Sequence, residues 1–377
     1  MEIQDRPARP GPRAARAQSS AFLCAALVSS VSFGVLGGEP ERFGPVLGLS
    51  EDRRYFTLDG EPTFLLGVSY YGALGLDRPD LLARDLDDMV ASGFNWIRVW
   101  AFWDAFGEDV SALTPEGGPR EPYLARLKAL ARECSKRRMV VDCTLRRDSR
   151  SERAPANLAQ HLACARRIAQ ELLPYRNLYI DLANERDVRD ARHVPLEEVG
   201  ELVRAVKSVD PERLATASGV PGSAKELAAY AKVGRCDFLA PHLSREAGCA
   251  AKTQGTVREF GRWMREVGAR MPVHLQEPFR RGYGPYEPTA EDFLEDARGA
   301  RAGGAAGWCL HNGSTRSAAD GKPYRSFLVN SRVGRLYDQW DEVERAVLAR
   351  LAREVGPLAI RARGEAPAPS VNLRTSL

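Results

Sequence analysis

A (β/α)8 barrel is the fold this sequence predicts, and three observations predict it. Short, nearly continuous apolar runs recur from about residue 55 onward. Longer amphipathic stretches separate them. No G-x-G-x-x-G loop follows an early run, as a doubly wound open sheet built around a dinucleotide would require. Strands apolar on both faces are what a parallel sheet buried under helices needs. Eight of them, spaced about 25–45 residues apart and each followed by a helical stripe, close into a barrel.

The first element is a leader. Residues 1–20 carry Arg6, Arg9, Arg13 and Arg16, and the apolar stretch Ala21–Leu36 follows before polar Gly-Glu-Pro-Glu-Arg. A positive region ahead of an apolar one of this length is the layout of a secretory signal, and the stretch is short for a spanning helix. Residues 1–40 are therefore expected to be a signal peptide or N-terminal anchor. Asp59-Gly60, inside Tyr55–Thr63, marks a tight turn between two short strands, a hairpin leading into the barrel.

The apolar runs are Phe64–Ser69, Phe94–Trp100, Met139–Thr144, Leu178–Ala183, Leu214–Ser218, Asp237–Pro241, Pro272–Gln276 and Ala306–Leu310. Between them, Leu124, Leu127, Ala131 and Cys134 recur at helical spacing, as do Val257, Phe260, Met264 and Val267. Asp80, Ser223 and Thr289 stand near helix starts, where their oxygens can cap free backbone N–H groups. The catalytic-size domain spans 50–355, and the Ala-, Pro- and Arg-rich residues 356–377 read as a loose tail.

Composition narrows the function. The 377 residues are 44% hydrophobic and 28% charged, ordinary globular usage that excludes a wholly disordered chain. Net charge is +4, with 54 basic and 50 acidic residues interspersed, so no basic face is marked out and nucleic acid is not an expected partner. Of the seven Cys, six lie beyond the leader, but none forms a C-x-x-C pair and several fall in apolar runs. No metal site is expected, and disulfides stay open.

In a barrel, chemistry sits at the C-terminal ends of the strands. The second run carries Arg98 and ends at Trp100, with Trp103 beyond it; the fourth leads to Asn184-Glu185; the sixth to His242; the seventh to Glu277; the eighth holds Trp308. Two carboxylates beside aromatic rings have one leading use, the cleavage of glycosidic bonds. One protonates the leaving oxygen, and the other attacks the anomeric carbon or activates water. Tryptophan faces pack on the C–H faces of sugars. Trp100 and Trp103 divide between core and subsite, Trp263 reads as core, and Asp142 and Asp181 read as buried, hydrogen-bonded barrel residues.

At these residues, from about Tyr55 to Trp308, the chain resembles the cellulase-like glycoside hydrolases, family 5 and its retaining relatives. The resemblance implies that Glu185 is the acid/base, Asn184 the ligand of the sugar 2-hydroxyl and Glu277 the nucleophile. It further implies that Arg98 orients and ionises Glu277, that His242 is the sixth-strand histidine, and that Trp308 lines the sugar subsite, where Trp100 at the end of the second run is a further candidate. As an acid Glu185 is expected to have a raised pKa, from burial and from the charge of Glu277. Three departures bear on subsite and rate. Cys143-Thr144-Leu145 stands where the family often has His, Ser244 stands in place of a Tyr, and Pro278 rather than Gly follows Glu277.

The expected function is a retaining hydrolase of a β-linked poly- or oligosaccharide, with no metal, nucleotide or flavin cofactor. It is expected to be secreted or held in the cell envelope, touching membrane only through the leader, and the sequence is silent on oligomeric state. Two alternatives stay open. One is a catalytically impaired barrel that binds carbohydrate. The other is a metal-dependent barrel hydrolase using His242, His274 and carboxylates, although Val68-Ser69-Tyr70 replaces the H-x-H expected after its first strand.

Overall fold

The computed structural model describes residues 42–146, 152–190, 192–278, 286–311 and 326–356. The expected leader, residues 1–40, and all but the first residue of the expected tail, 356–377, lie outside the described residues.

The described chain opens with an antiparallel meander, β1 (Leu47–Leu49), β2 (Phe56–Leu58) and β3 (Glu61–Thr63). The turn between β2 and β3 falls at Asp59-Gly60, as the sequence predicts. Both residues have positive φ, 53° and 86°, which matches the right-handed twist of the flanking strands. The strand β1 adds a third member that the sequence reading left out.

The barrel strands are β4 (Leu65–Ser69), β5 (Trp96–Trp100), β8 (Val140–Thr144), β9 (Leu178–Asp181), β10 (Ala215–Thr216), β11 (His274–Leu275) and β12 (Gly307–Leu310). A small hairpin, β6 (Asp104–Ala105) and β7 (Glu108–Asp109), follows β5. The seven barrel strands form one parallel sheet in the order β10-β9-β8-β5-β4-β12-β11.

The sixth predicted run, Asp237–Pro241, closes the gap without forming a regular strand. Leu239 bridges Val273 and His242 bridges Glu277, both in parallel register. On the other side Asp237 N donates to Ala215 O at 2.9 Å, and Gly219 N to Ala240 O at 3.1 Å. Pro241 and Pro272 explain the broken ladder, because neither can donate a hydrogen bond at this seam.

Each strand position is followed by a helix: α1 (Pro79–Ala91), α2 (Tyr123–Lys136), α3 (Leu158–Glu171), α4 (Leu196–Lys207), α5 (Ala224–Lys232), α6 (Thr253–Val267), α7 (Ala290–Gly303) and α8 (Glu342–Val355). Ser223 caps α5, and Thr289 caps α7 in a reciprocal capping box with Asp292. Asp80 does not cap. It lies in the first turn of α1 behind Pro79 and pairs with Arg78 at 2.6 Å.

Alternation along each strand sorts the core into two bodies. Ile97, Val99, Val141, Cys143, Ile180, Trp308 and Leu310 face the helices, while Leu65, Trp96, Val140, Tyr179, Phe238 and Cys309 face the barrel interior. The meander plugs the floor of that interior. Phe56 is fully buried with its ring 5.0 Å from Phe238, 5.7 Å from His274 and 6.2 Å from Tyr179. Side chains therefore fill the barrel below, and the open end lies where the strands finish. All six described cysteines are free thiols, five of them buried, so they serve as small core residues or, at Cys249, half-buried surface.

Candidate active site

Arg98 organises the mouth. It points inward from β5, is fully buried, and spreads its five donors over three strands. Nη1 pairs with Glu277 Oε1. Nη2 donates to Asn184 Oδ1 at 2.7 Å and to Asp181 Oδ2 at 3.1 Å. Nε donates to Thr144 Oγ1 at 3.0 Å and lies 3.3 Å from Asp142 Oδ2. Its guanidinium also sits 4.4 Å from the centre of the Trp100 ring. Burial works against this charge, but the carboxylates of Glu277, Asp142 and Asp181 outweigh it and raise the Arg98 pKa. Asp142 and Asp181 are thus buried, hydrogen-bonded barrel residues, as the sequence reading has them. Gln276 completes the layer, donating to Asp142 Oδ2 at 2.7 Å.

Glu277 follows β11 and is 6% exposed. Besides Arg98 it receives Arg245 Nη2 at 2.6 Å on Oε2, with His311 Nε2 at 3.5 Å and His242 Nδ1 at 3.7 Å from the same oxygen. Burial alone would raise its pKa; the electrostatic pull of His242, His311, Arg98 and Arg245 reverses that and holds the carboxyl well below the usual range. The arrangement suits a group that must attack as a carboxylate.

Glu185 stands one residue beyond Asn184, past the end of β9, with φ of 50°. Its backbone N–H is held by Ser218 Oγ at 3.0 Å, and its carboxyl Oε1 meets His242 Nδ1 at 3.3 Å. The side chain is 36% exposed. The expected rise in its pKa is not what the structure gives. The hydrogen bond from His242 outweighs burial and the repulsion of Glu277, and holds Glu185 below its ordinary 4.5. Glu185, His242 and Glu277 each bring one atom to within 4.8 Å of the others. Such a cluster has the donor set for a cation, but Arg98 and Arg245 already bring their charges to these carboxylates.

The structure therefore brings Arg98, Trp100, Asn184, Glu185, His242 and Glu277 together. Trp308 is not among them. It is fully buried on the outer side of β12, in the layer against α7, where its Nε1 donates to Asp296 at 2.6 Å. The eighth run had the signal for this. Its inward phase is Gly307, Cys309 and His311, so the mouth receives His311 and not the tryptophan. Arg245, three residues past His242, is the second residue the sequence reading missed; it donates to Glu277 Oε2.

Tyr71, Trp100, Trp103 and Phe327 form an aromatic wall beside these groups. Tyr71 lies 4.7 Å from Trp100, 5.1 Å from Trp103 and 4.7 Å from Phe327, and 6.2 Å from His311. All four rings are buried, Trp103 being the most exposed at 7%.

Solved structures share this architecture. A glycoside hydrolase family 5 protein from Bacteroides vulgatus superposes with a TM-score of 0.62 at 16% identity, over 82% of this chain and 72% of that one. An endo-1,4-beta-mannanase from Rhizomucor miehei gives a TM-score of 0.57 at 15% identity, over 82% of this chain and 97% of its own. XacCel5A, crystallised in complex with cellopentaose, gives 0.52 at 15% identity, over 76% of this chain and 99% of its own. The chain has the fold of these glycoside hydrolases. No protein-family model matches the sequence, and no curated protein matches it.

Proposed function

We propose that this protein is a glycoside hydrolase cleaving a β-linked glycan with retention of configuration. The observation that carries the proposal is the pairing of two glutamates, each of which brings one carboxylate oxygen to within 4.8 Å of the other's at the barrel mouth. Carboxyl groups whose nearer oxygens come this close favour the ~5–5.5 Å arrangement of retaining enzymes over the ~6.5–9.5 Å that leaves room for an attacking water. Glu277, ionised and buried, is the nucleophile: its oxygen bonds to the anomeric carbon as the glycosidic bond breaks. Glu185 gives its proton to the departing oxygen, then takes one from the water that releases the sugar. Asn184, held through its carbonyl oxygen by Arg98, turns its amide toward the 2-hydroxyl.

The cellopentaose bound by XacCel5A and the mannanase fold favour β-1,4-linked glucan or mannan as the class of substrate. We further propose export directed by residues 1–40, tested by fusing them to a reporter and asking whether it leaves the cell.

The test is turnover of cello- and manno-oligosaccharides with the first-formed anomer followed by proton NMR. Release of the β-anomer, with loss of turnover of at least about a thousandfold in both Glu277→Gln and Glu185→Gln, is expected. First release of the α-anomer overturns retention. Turnover that survives both substitutions overturns the assignment of the site, and sugar affinity without any turnover would identify a binding barrel.

A further inference from the structure

Arg245 is placed to reach both carboxylates. Its Nη2 lies 2.6 Å from Glu277 Oε2 and 3.9 Å from Glu185 Oε1, with the side chain 16% exposed. Arg98 holds the opposite oxygen of Glu277, Oε1, so the two guanidinium groups do not compete for one lone pair. They differ in what else they hold. Arg98 is fixed between Asp142, Asp181 and Asn184 and keeps those partners whatever happens to Glu277. Arg245 lies between the two carboxylates that exchange charge.

We propose that Arg245 is a positioning residue that follows the negative charge from Glu277 to Glu185 and back during each turnover. The inference rests on the retaining reading given above and deepens it. Before reaction the pair carries one negative charge, on Glu277, and one proton, on Glu185. As Glu277 forms its ester bond to the anomeric carbon, the glycosidic C–O bond breaks and the Glu185 proton passes to the leaving oxygen. Glu277 is then neutral and Glu185 is the carboxylate. A shift of roughly 1 Å brings Nη2 from its 3.9 Å position into hydrogen-bond range of Glu185. The cation now steadies the base that must deprotonate water. When water's oxygen bonds to the anomeric carbon and the ester C–O bond breaks, the electron pair returns to Glu277, and Arg245 returns with it.

The other charged groups facing the pair come from each element around it. Among the described residues they are Arg98 on β5 and two titratable imidazoles, His242 in the segment after α5 and His311 after β12. His242 contacts both carboxylates, so a test must isolate the contribution of Arg245.

A double-mutant cycle does this without substrate. Carbon-13 NMR titration of labelled glutamate carboxyls, with Glu185 assigned by its loss in E185Q, follows that group in the wild type, E277Q, R245M and E277Q/R245M. The E277Q side chain is neutral, as the ester is. The expected result is that E277Q lowers the Glu185 pKa by about one unit more when Arg245 is present than when Met replaces it, a tenfold difference in proton affinity. Equal lowering in both backgrounds overturns the proposal.

Kinetics give a second readout. With 2,4-dinitrophenyl β-cellobioside, whose leaving group needs no acid, R245M should lower kcat about tenfold more than kcat/KM, and R245K should restore part of the loss. Equal losses in both constants, not relieved by R245K, overturn it as well. Thermal denaturation of R245M and R245K separates misfolding from the charge effect. If the wild type turns over no glycoside, the hydrolase reading fails, while the NMR cycle still decides whether Arg245 couples the two carboxylates.

Discussion

The proton on Glu185 is controlled by His242 more than by burial. A general acid works only while protonated, so a pKa held below 4.5 means that the acid is lost as pH rises through the acidic range. The high-pH limb of kcat/KM for a poor leaving group is therefore expected on the acid side of neutrality. His242→Ala removes the leading cause of the lowering and should move that limb to higher pH, measured as a shift in the pH–rate profile. An unmoved limb would mean that another group sets it. Glu277 obeys the opposite requirement, since it must be ionised, and its low pKa keeps it so. By linkage this depressed carboxylate stabilises the fold above its unfolded value of about 4.3, and that contribution is lost as pH falls through the folded pKa. At this scale the sequence was legible where a residue sits in a run that keeps its phase. Arg98, Asn184, Glu185 and Glu277 all fall where strand ends put them. Arg245 was not legible, because it lies on a segment past its run whose course no periodicity sets.

At the scale of the element, the two-residue period decides more than residue type. Trp308 looks like a sugar platform by composition and family position, yet it is one step out of phase with the mouth and packs on α7. Its indole N–H satisfies Asp296, whose carboxyl burial pushes up to about 7. Trp308→Phe leaves that buried acceptor with one donor fewer, which should cost about 1–3 kcal/mol in urea unfolding while kcat stays unchanged. A collapse of kcat with stability retained would put the ring back in the site. The sixth barrel position teaches the same lesson from the other side. Asp237–Pro241 is apolar enough to be a strand and lies where one belongs, but the prolines at the seam leave it to close the barrel by single bridges. Apolarity located the segment; hydrogen-bonding capacity fixed its regularity.

The whole molecule divides between a packed lower half and a charged upper half. Phe56 and its neighbours seal the floor, and the sequence showed only the turn that carries this plug, because what a hairpin covers depends on contacts far along the chain. The upper half concentrates groups that a fold designed for stability alone would avoid, and Glu185 is the clearest case. Its φ of 50° is a conformation that glycine and asparagine adopt freely and glutamate does not, at a cost of about 1 kcal/mol or more. Glu185→Gly and Glu185→Asn are thus expected to be no less stable than the wild type, and up to about 1 kcal/mol more so, with turnover gone. A loss above about 1 kcal/mol in thermal or urea unfolding would show that the carboxylate repays its backbone. The consequence reaches protein engineering. A library sorted for heat resistance alone, with no assay of sugar release, will drift toward small residues at position 185, and its most robust members will be catalytically silent barrels.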